Sequence, residues 1–279
     1  MSHLALAVLS AIFVWWFATG AVFVLARRGE NHEFRVALGV TAMAMLALYG
    51  LYASARMETV AGVYIAFGSA IAVWAWHEVM FLLGFIAGPR RFSATKGLSG
   101  GERFREAFAT VRDHELAIAA TAPIIVLLTA GGSNAVGLWT FAVLWVMRVS
   151  AKLCIHLGAR HSLSALMPAR QRYLTTYFRT DRTTPLLPVV IVLAGGVFVW
   201  LCILAAGAQV PHSTGIALIA TLLGLAILEH LLLLLPVPDS ILWLWAAPKS
   251  TETDTQIMRG PASDRTGPKT LKGDGVSWT

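Results

Sequence analysis

Two cations and a histidine fall inside one apolar stretch. GLWTFAVLWVMRVSAKLCIHLG, residues 137–158, is long and apolar enough to cross a bilayer, yet holds Arg148, Lys152 and His156 at every fourth position. On a helix that spacing draws a single, slowly drifting stripe. Arg148 lies about 18 Å into a span starting near Val136, at about 1.5 Å per residue, which is close to mid-membrane. An unpaired cation there costs about 2.5–3.5 kcal/mol on insertion scales. The stripe therefore requires partners from other segments.

Three other apolar segments offer them. Trp74-Ala75-Trp76-His77-Glu78, Asp113-His114-Glu115 and Glu229-His230 each pair a histidine with an acid. Glu78, Glu115 and Glu229 suffice to neutralise Arg148 and Lys152, with one acid left over or shared with a histidine. Ionisable groups paired at membrane depth serve as a functional site or fix helix register, and the sequence leaves both readings open. Catalytic chemistry finds no support in the spacing. HEVMF and HELAI have Phe81 and Ile118 where a zinc-protease HExxH needs its second histidine. No Ser or Cys has a base beside it at one depth, and no glycine loop could cradle a phosphate. No catalytic or metal-binding residue is predicted, and the chain is not read as an enzyme. A single neutral imidazole can ligate a chlorin magnesium, so His77, His114 and His230 are pigment candidates, although a core histidine hydrogen-bonded to a neighbour is the commoner case. Adjacent residues on a helix point about 100° apart, so the acceptor for His77 must come from another span, not from Glu78.

The whole chain has the composition to hold such groups in a membrane. Of its 279 residues 57% are hydrophobic and only 13% charged, with a mean hydropathy of +0.67. The expected fold is all-α and polytopic: a seven-transmembrane-helix bundle over residues 1–246 and a disordered cytoplasmic tail over 247–279. Spans are predicted near 4–26, 35–54, 60–87, 114–131, 136–157, 186–207 and 214–235. The first run has no basic region before it and no small-residue cleavage site after it, so it is expected to be retained. Arginines and lysines concentrate in alternate connections: Arg27 to Arg35, Arg90 to Arg112 and Arg160 to Arg182. The other connections are nearly free of them, which predicts an N-terminus outside, in the periplasm, and a cytoplasmic C-terminus. The net charge of +7 is thereby topogenic and does not imply a nucleic-acid partner. Cys154 and Cys202 lie in apolar runs as small filler.

Shorter features complete the chain. Ser99 and Glu102 have capping-box spacing before GERFREAFATVRDHELAI, an interfacial helix that should continue into the fourth span and kink at Pro123. Pro168 suits a first helical position, and Tyr173, Leu174, Tyr177 and Phe178 make a second surface-lying face. Gly62, Ala66 and Ala70 offer a small-residue edge for close helix approach. Trp243 and Trp245 are expected at the membrane boundary.

Four blocks in order resemble the PuhE-type proteins called the photosynthetic complex assembly protein 2 family: WAWHEVMFLLGFIAGPRR, ERFREAFATVRDHEL, GLWTFAVLWVMRVSAKL and LEHLLLLLPVPDSILWLW. FVWWFATGAVF is similar to that family's first span, and the tail beyond Trp245 lies outside the resemblance. The resemblance implies a non-enzymatic assembly factor for the bacterial reaction centre and core light-harvesting complex. It places the chain in the inner, intracytoplasmic photosynthetic membrane of purple-type bacteria, with bacteriochlorophyll as the candidate pigment it handles or delivers. Partners would be the lipid bilayer and reaction-centre or core-antenna subunits or other assembly factors. The family's recurrent polar residues correspond to Glu78, His114, Glu115, Arg148, Lys152, Glu229 and His230; His156 has no counterpart. The alternative from another class is a transporter or undescribed membrane enzyme using the buried carboxylates for proton chemistry.

Overall fold

Apolar runs of bilayer length must satisfy their backbone hydrogen bonds internally, so in lipid they become helices. The computed structural model describes residues 2–161 and 167–235, and among these it is all-helical, with no strand. The first helix, α1 (His3–Ser54), is 52 residues long, about twice what a bilayer needs. It breaks at His32, whose φ of −141° and ψ of 40° lie outside the helical range.

That break makes a hairpin. Val22 and Ala26 before it, and Ala37 and Val40 after it, share one cluster with Val79 and Leu82 at the end of α2 (Val60–Leu82). Ala7 and Ala11 reach Val63 and Phe67 at the start of α2, and Ala47 and Leu51 return to Ala70 and Val73. The halves His3–Gly29 and Asn31–Ser54 thus pass α2 in opposite directions. Where the sequence predicts a basic loop between two spans, the helix persists almost through the reversal, because residues 27–35 contain one glycine and no proline.

The remaining helices are α3 (Gly100–Thr129), α4 (Val136–Leu157), α5 (Leu186–Gly207) and α6 (His212–Leu232), with a 3-10 helix at Ala169–Tyr177. Among the described residues six segments are long and apolar enough to cross a membrane: the two halves of α1, then α2, α4, α5 and α6. The predicted span at 114–131 is not among them. Arg112, Asp113 and Glu115 leave less than a bilayer's length of uncharged helix before Thr129. α3 joins the expected interfacial helix and span into one, and Pro123 lies within it without ending it. Ser99 does stand at its N-cap, but the side chain makes no capping hydrogen bond. The predicted spans at 60–87 and 214–235 end earlier: α2 stops at Leu82, just before Gly84 at φ +84°, and α6 stops at Leu232. The predicted small-residue edge is used by α4, since a Cβ added at Gly137 would lie 3.2 Å from the Ala66 carbonyl oxygen. Gly62 instead faces Met57 and Thr59 where α2 begins.

The two ends of the bundle are tied differently. At one, Asn134 ties two helix ends: its Nδ2 donates to Ser54 O at 3.1 Å, and its Oδ1 accepts from Val136 N at 3.2 Å. His3 meets Ser213 there at 3.1 Å. At the Arg-rich end the 3-10 helix corrects a sequence expectation. Leu174 and Tyr177 are buried at 6% and 4% exposure, not laid on a surface. The helix ends of α2 explain this, because terminal carbonyls need donors from outside the helix. Gln171 donates to Phe81 O at 2.7 Å and Arg170 to Leu83 O at 2.7 Å. Arg90 Nε donates to Tyr177 Oη at 2.8 Å, and Arg103 donates to Tyr177 O at 2.8 Å and His156 O at 3.1 Å. The expected tail at 247–279, with Trp243 and Trp245 before it, lies outside the described residues.

Candidate functional site

The stripe on α4 divides between two helices. Arg148 Nη2 donates to Glu78 Oε2 of α2 at 3.2 Å. One turn on, Lys152 Nζ donates to Glu115 Oε1 of α3 at 2.6 Å and lies 5.8 Å from the Phe81 ring centroid. His156 takes no part. Its ring packs edge-on against Phe104 at 5.8 Å, near the Arg-rich end. Glu229 of α6 acts electrostatically on Arg148, so acids from three helices converge on the α4 cations.

The three histidines differ in their surroundings, though all are fully buried. His230 has both nitrogens occupied: Nδ1 donates to Ala226 O at 2.8 Å, and Nε2 meets Ser150 Oγ at 2.9 Å. His77 Nε2 meets Thr121 Oγ1 of α3 at 3.0 Å, so its partner comes from another helix and not from Glu78. Its Nδ1 is buried without a partner. His114 sits between the rings of Phe81, at 4.6 Å, and His77, at 6.3 Å, and neither of its nitrogens has a hydrogen-bond partner. Glu78 Oε1 and Arg148 Nε are likewise buried and unpartnered.

Sequence reasoning missed Thr121 and Ser150. Thr121 lies two turns beyond His114, on the buried face that includes Ile118 and Ile125, and Ser150 lies between the two cations of α4. A hydroxyl in an apolar span was the available signal. It is a weak one, because Thr121 and Ser150 also bond carbonyls of their own helices, at 3.0 Å and 2.8 Å.

Two of the three candidate histidines, His114 and His230, do not suit a chlorin. Among the described residues no three His, Cys, Asp or Glu side chains converge as a metal site. His230 has both ring nitrogens engaged, and His114 is packed between the tilted Phe81 ring and the edge-on His77 ring at 0% exposure, which leaves no slot for a macrocycle several rings wide. What the arrangement offers is two ion pairs at membrane depth, incompletely covered. The side chains of Arg148 and Lys152 remain 39% and 26% exposed.

The family whose pattern this chain fits covers residues 1–254 and carries the description "Protein of unknown function (DUF3623)". The chain belongs to the DUF3623 family. A relative from Rhodobacter capsulatus, described as an uncharacterized 30.4 kDa protein in the puhA 5′ region, is 36% identical over 271 residues. The alignment takes in 95% of this chain and 98% of the relative. No solved structure matches the chain. Membership spans α1 to α6 and every polar residue named above, so the ion pairs lie within the family's extent.

Proposed function

We propose that the chain is a PuhE-type, non-enzymatic assembly factor for the photosynthetic reaction centre and core light-harvesting complex. It acts in the inner, intracytoplasmic membrane of a photosynthetic bacterium and docks a transmembrane segment of a client subunit or another assembly factor against its polar seam. It crosses the membrane seven times, α3 included, with the N-terminus in the periplasm and the Arg-rich end in the cytoplasm. The relative's location in the puhA 5′ region supports the photosynthetic setting. The alternation is supported by the ties at each end: connections rich in arginine bond to one another, and Asn134 bonds the arginine-poor ones.

The observation that carries docking is the exposure of Arg148 and Lys152 beside their acids at membrane depth. A charge facing lipid costs about 2.5–3.5 kcal/mol near the bilayer centre. A partner helix presenting a hydroxyl, amide or carboxylate over the seam removes part of that cost, and the gain favours association. Bacteriochlorophyll need not sit on the three histidines for this. A clean deletion in the native host tests the reading. Near-infrared absorbance of reaction-centre and core-antenna complexes should fall while growth that needs no light continues, and unchanged absorbance would count against it.

A second reading rests on the unpartnered buried atoms of His77, Glu78 and His114, which suit proton movement through the seam. Proteoliposomes with an internal pH dye would show a Glu78-dependent proton leak if that reading held.

A further inference from the structure

The break at His32 creates a feature that the docking proposal does not use. Arg28, Asn31, His32 and Arg35 line a concavity of about 460 Å³, with Val36 as its apolar flank. All four polar residues are exposed. Two arginines, an asparagine and a histidine thus line this one hollow, and the positive end of the second half-helix, Asn31–Ser54, begins there. Of the two acids in the turn, Glu30 and Glu33, the second is paired with Arg170 at 2.6 Å.

The hollow joins two apolar spans, so it lies at the depth of lipid headgroups. A topogenic role requires only positive charge near a span. It does not require directional donors gathered on one concavity, the arrangement that matches phosphate oxygens. We infer that the hollow at the α1 hairpin binds the phosphate of an anionic lipid headgroup through Arg28 and Arg35, with Asn31 and His32 as flanking donors. The site does not depend on the proposed assembly role or on which side of the membrane the hairpin lies.

The test is native mass spectrometry of the full-length protein in mild detergent, titrated with phosphatidylglycerol or phosphatidylcholine. Wild type should retain phosphatidylglycerol preferentially. The pair Arg28→Ala and Arg35→Ala should lose that preference by about fivefold per arginine, from about 1 kcal/mol per basic residue at a membrane surface. Arg172→Ala, which removes an exposed arginine on the 3-10 helix, is the control and should retain it. Thermal melts verify that each variant is folded. Equal retention of both lipids by wild type, an unchanged phosphatidylglycerol preference in the double variant, or an equal loss of preference in the control would overturn the site. A further titration uses inorganic phosphate alone. If phosphate binds and phosphatidylglycerol shows no preference, the phosphate chemistry stands and the lipid as its source is overturned.

Discussion

Glu78 holds Arg148 with one carboxylate oxygen and keeps the other buried and unpartnered, so its stability depends heavily on that one guanidinium. Arg148→Leu should destabilise the protein by about 3–5 kcal/mol, because an uncompensated carboxylate is left in the core. Adding Glu78→Leu should recover most of this loss, since an apolar replacement of both partners is often neutral or better. Thermal melts in detergent of the two single variants and the double measure it; no recovery would mean the pair is not coupled. His114 makes a contrasting case. Its nitrogens have no partners to lose, so His114→Leu should leave the melting temperature unchanged or higher. Protein isolated gently from pigment-replete membranes should also be colourless, and a stoichiometric bacteriochlorophyll band lost in His114→Leu would contradict the packing argument. The charged members of the site were legible in the sequence because a charge in an apolar run demands a partner. Which acid meets which cation was not: Glu78 and Glu229 were equal candidates for Arg148 until packing set the distances.

Among the elements, periodicity and length located the helices, while the connections escaped them. Helix propensity carries α1 almost through its reversal, and no local signal marks His32 as the break. The 3-10 helix shows a surface-like pattern, yet it is drawn inward by the open carbonyls of Phe81 and Leu83, a tertiary demand invisible to composition. A similar tie holds the connection before α3. Glu106 accepts from Thr95 Oγ1 at 2.6 Å and Thr95 N at 3.1 Å, and pairs with Arg90. The Thr95 hydroxyl, foremost, with Thr95 N and Arg90, holds this carboxyl below the ordinary 4.5. A carboxylate depressed in the folded state stabilises at pH values above its unfolded value, and that contribution fades as pH falls through the folded one. Amide exchange over residues 90–96, corrected for intrinsic rates, should therefore stay slow at neutral pH and quicken below about pH 4.5. Glu106→Gln should exchange faster at neutral pH and lose most of this dependence. An unchanged profile in the variant would dismiss the tie.

For the molecule as a whole, the loop charges and the end-to-end ties lead to one expectation. Reporter fusions ending at Asn134 and at Ser263 should report opposite sides of the membrane, periplasmic and cytoplasmic. Both on one side would contradict seven crossings. The central claim, that the open ion pairs dock a client, is tested most directly by returning the Glu78→Leu, Arg148→Leu double variant to a deletion strain. Its level in the membrane, measured by immunoblot, should match wild type, because the neutral pair restores the fold. Near-infrared absorbance of the reaction-centre and core-antenna complexes should nevertheless stay at the level of the deletion. Full recovery of those complexes at a normal protein level would contradict the account.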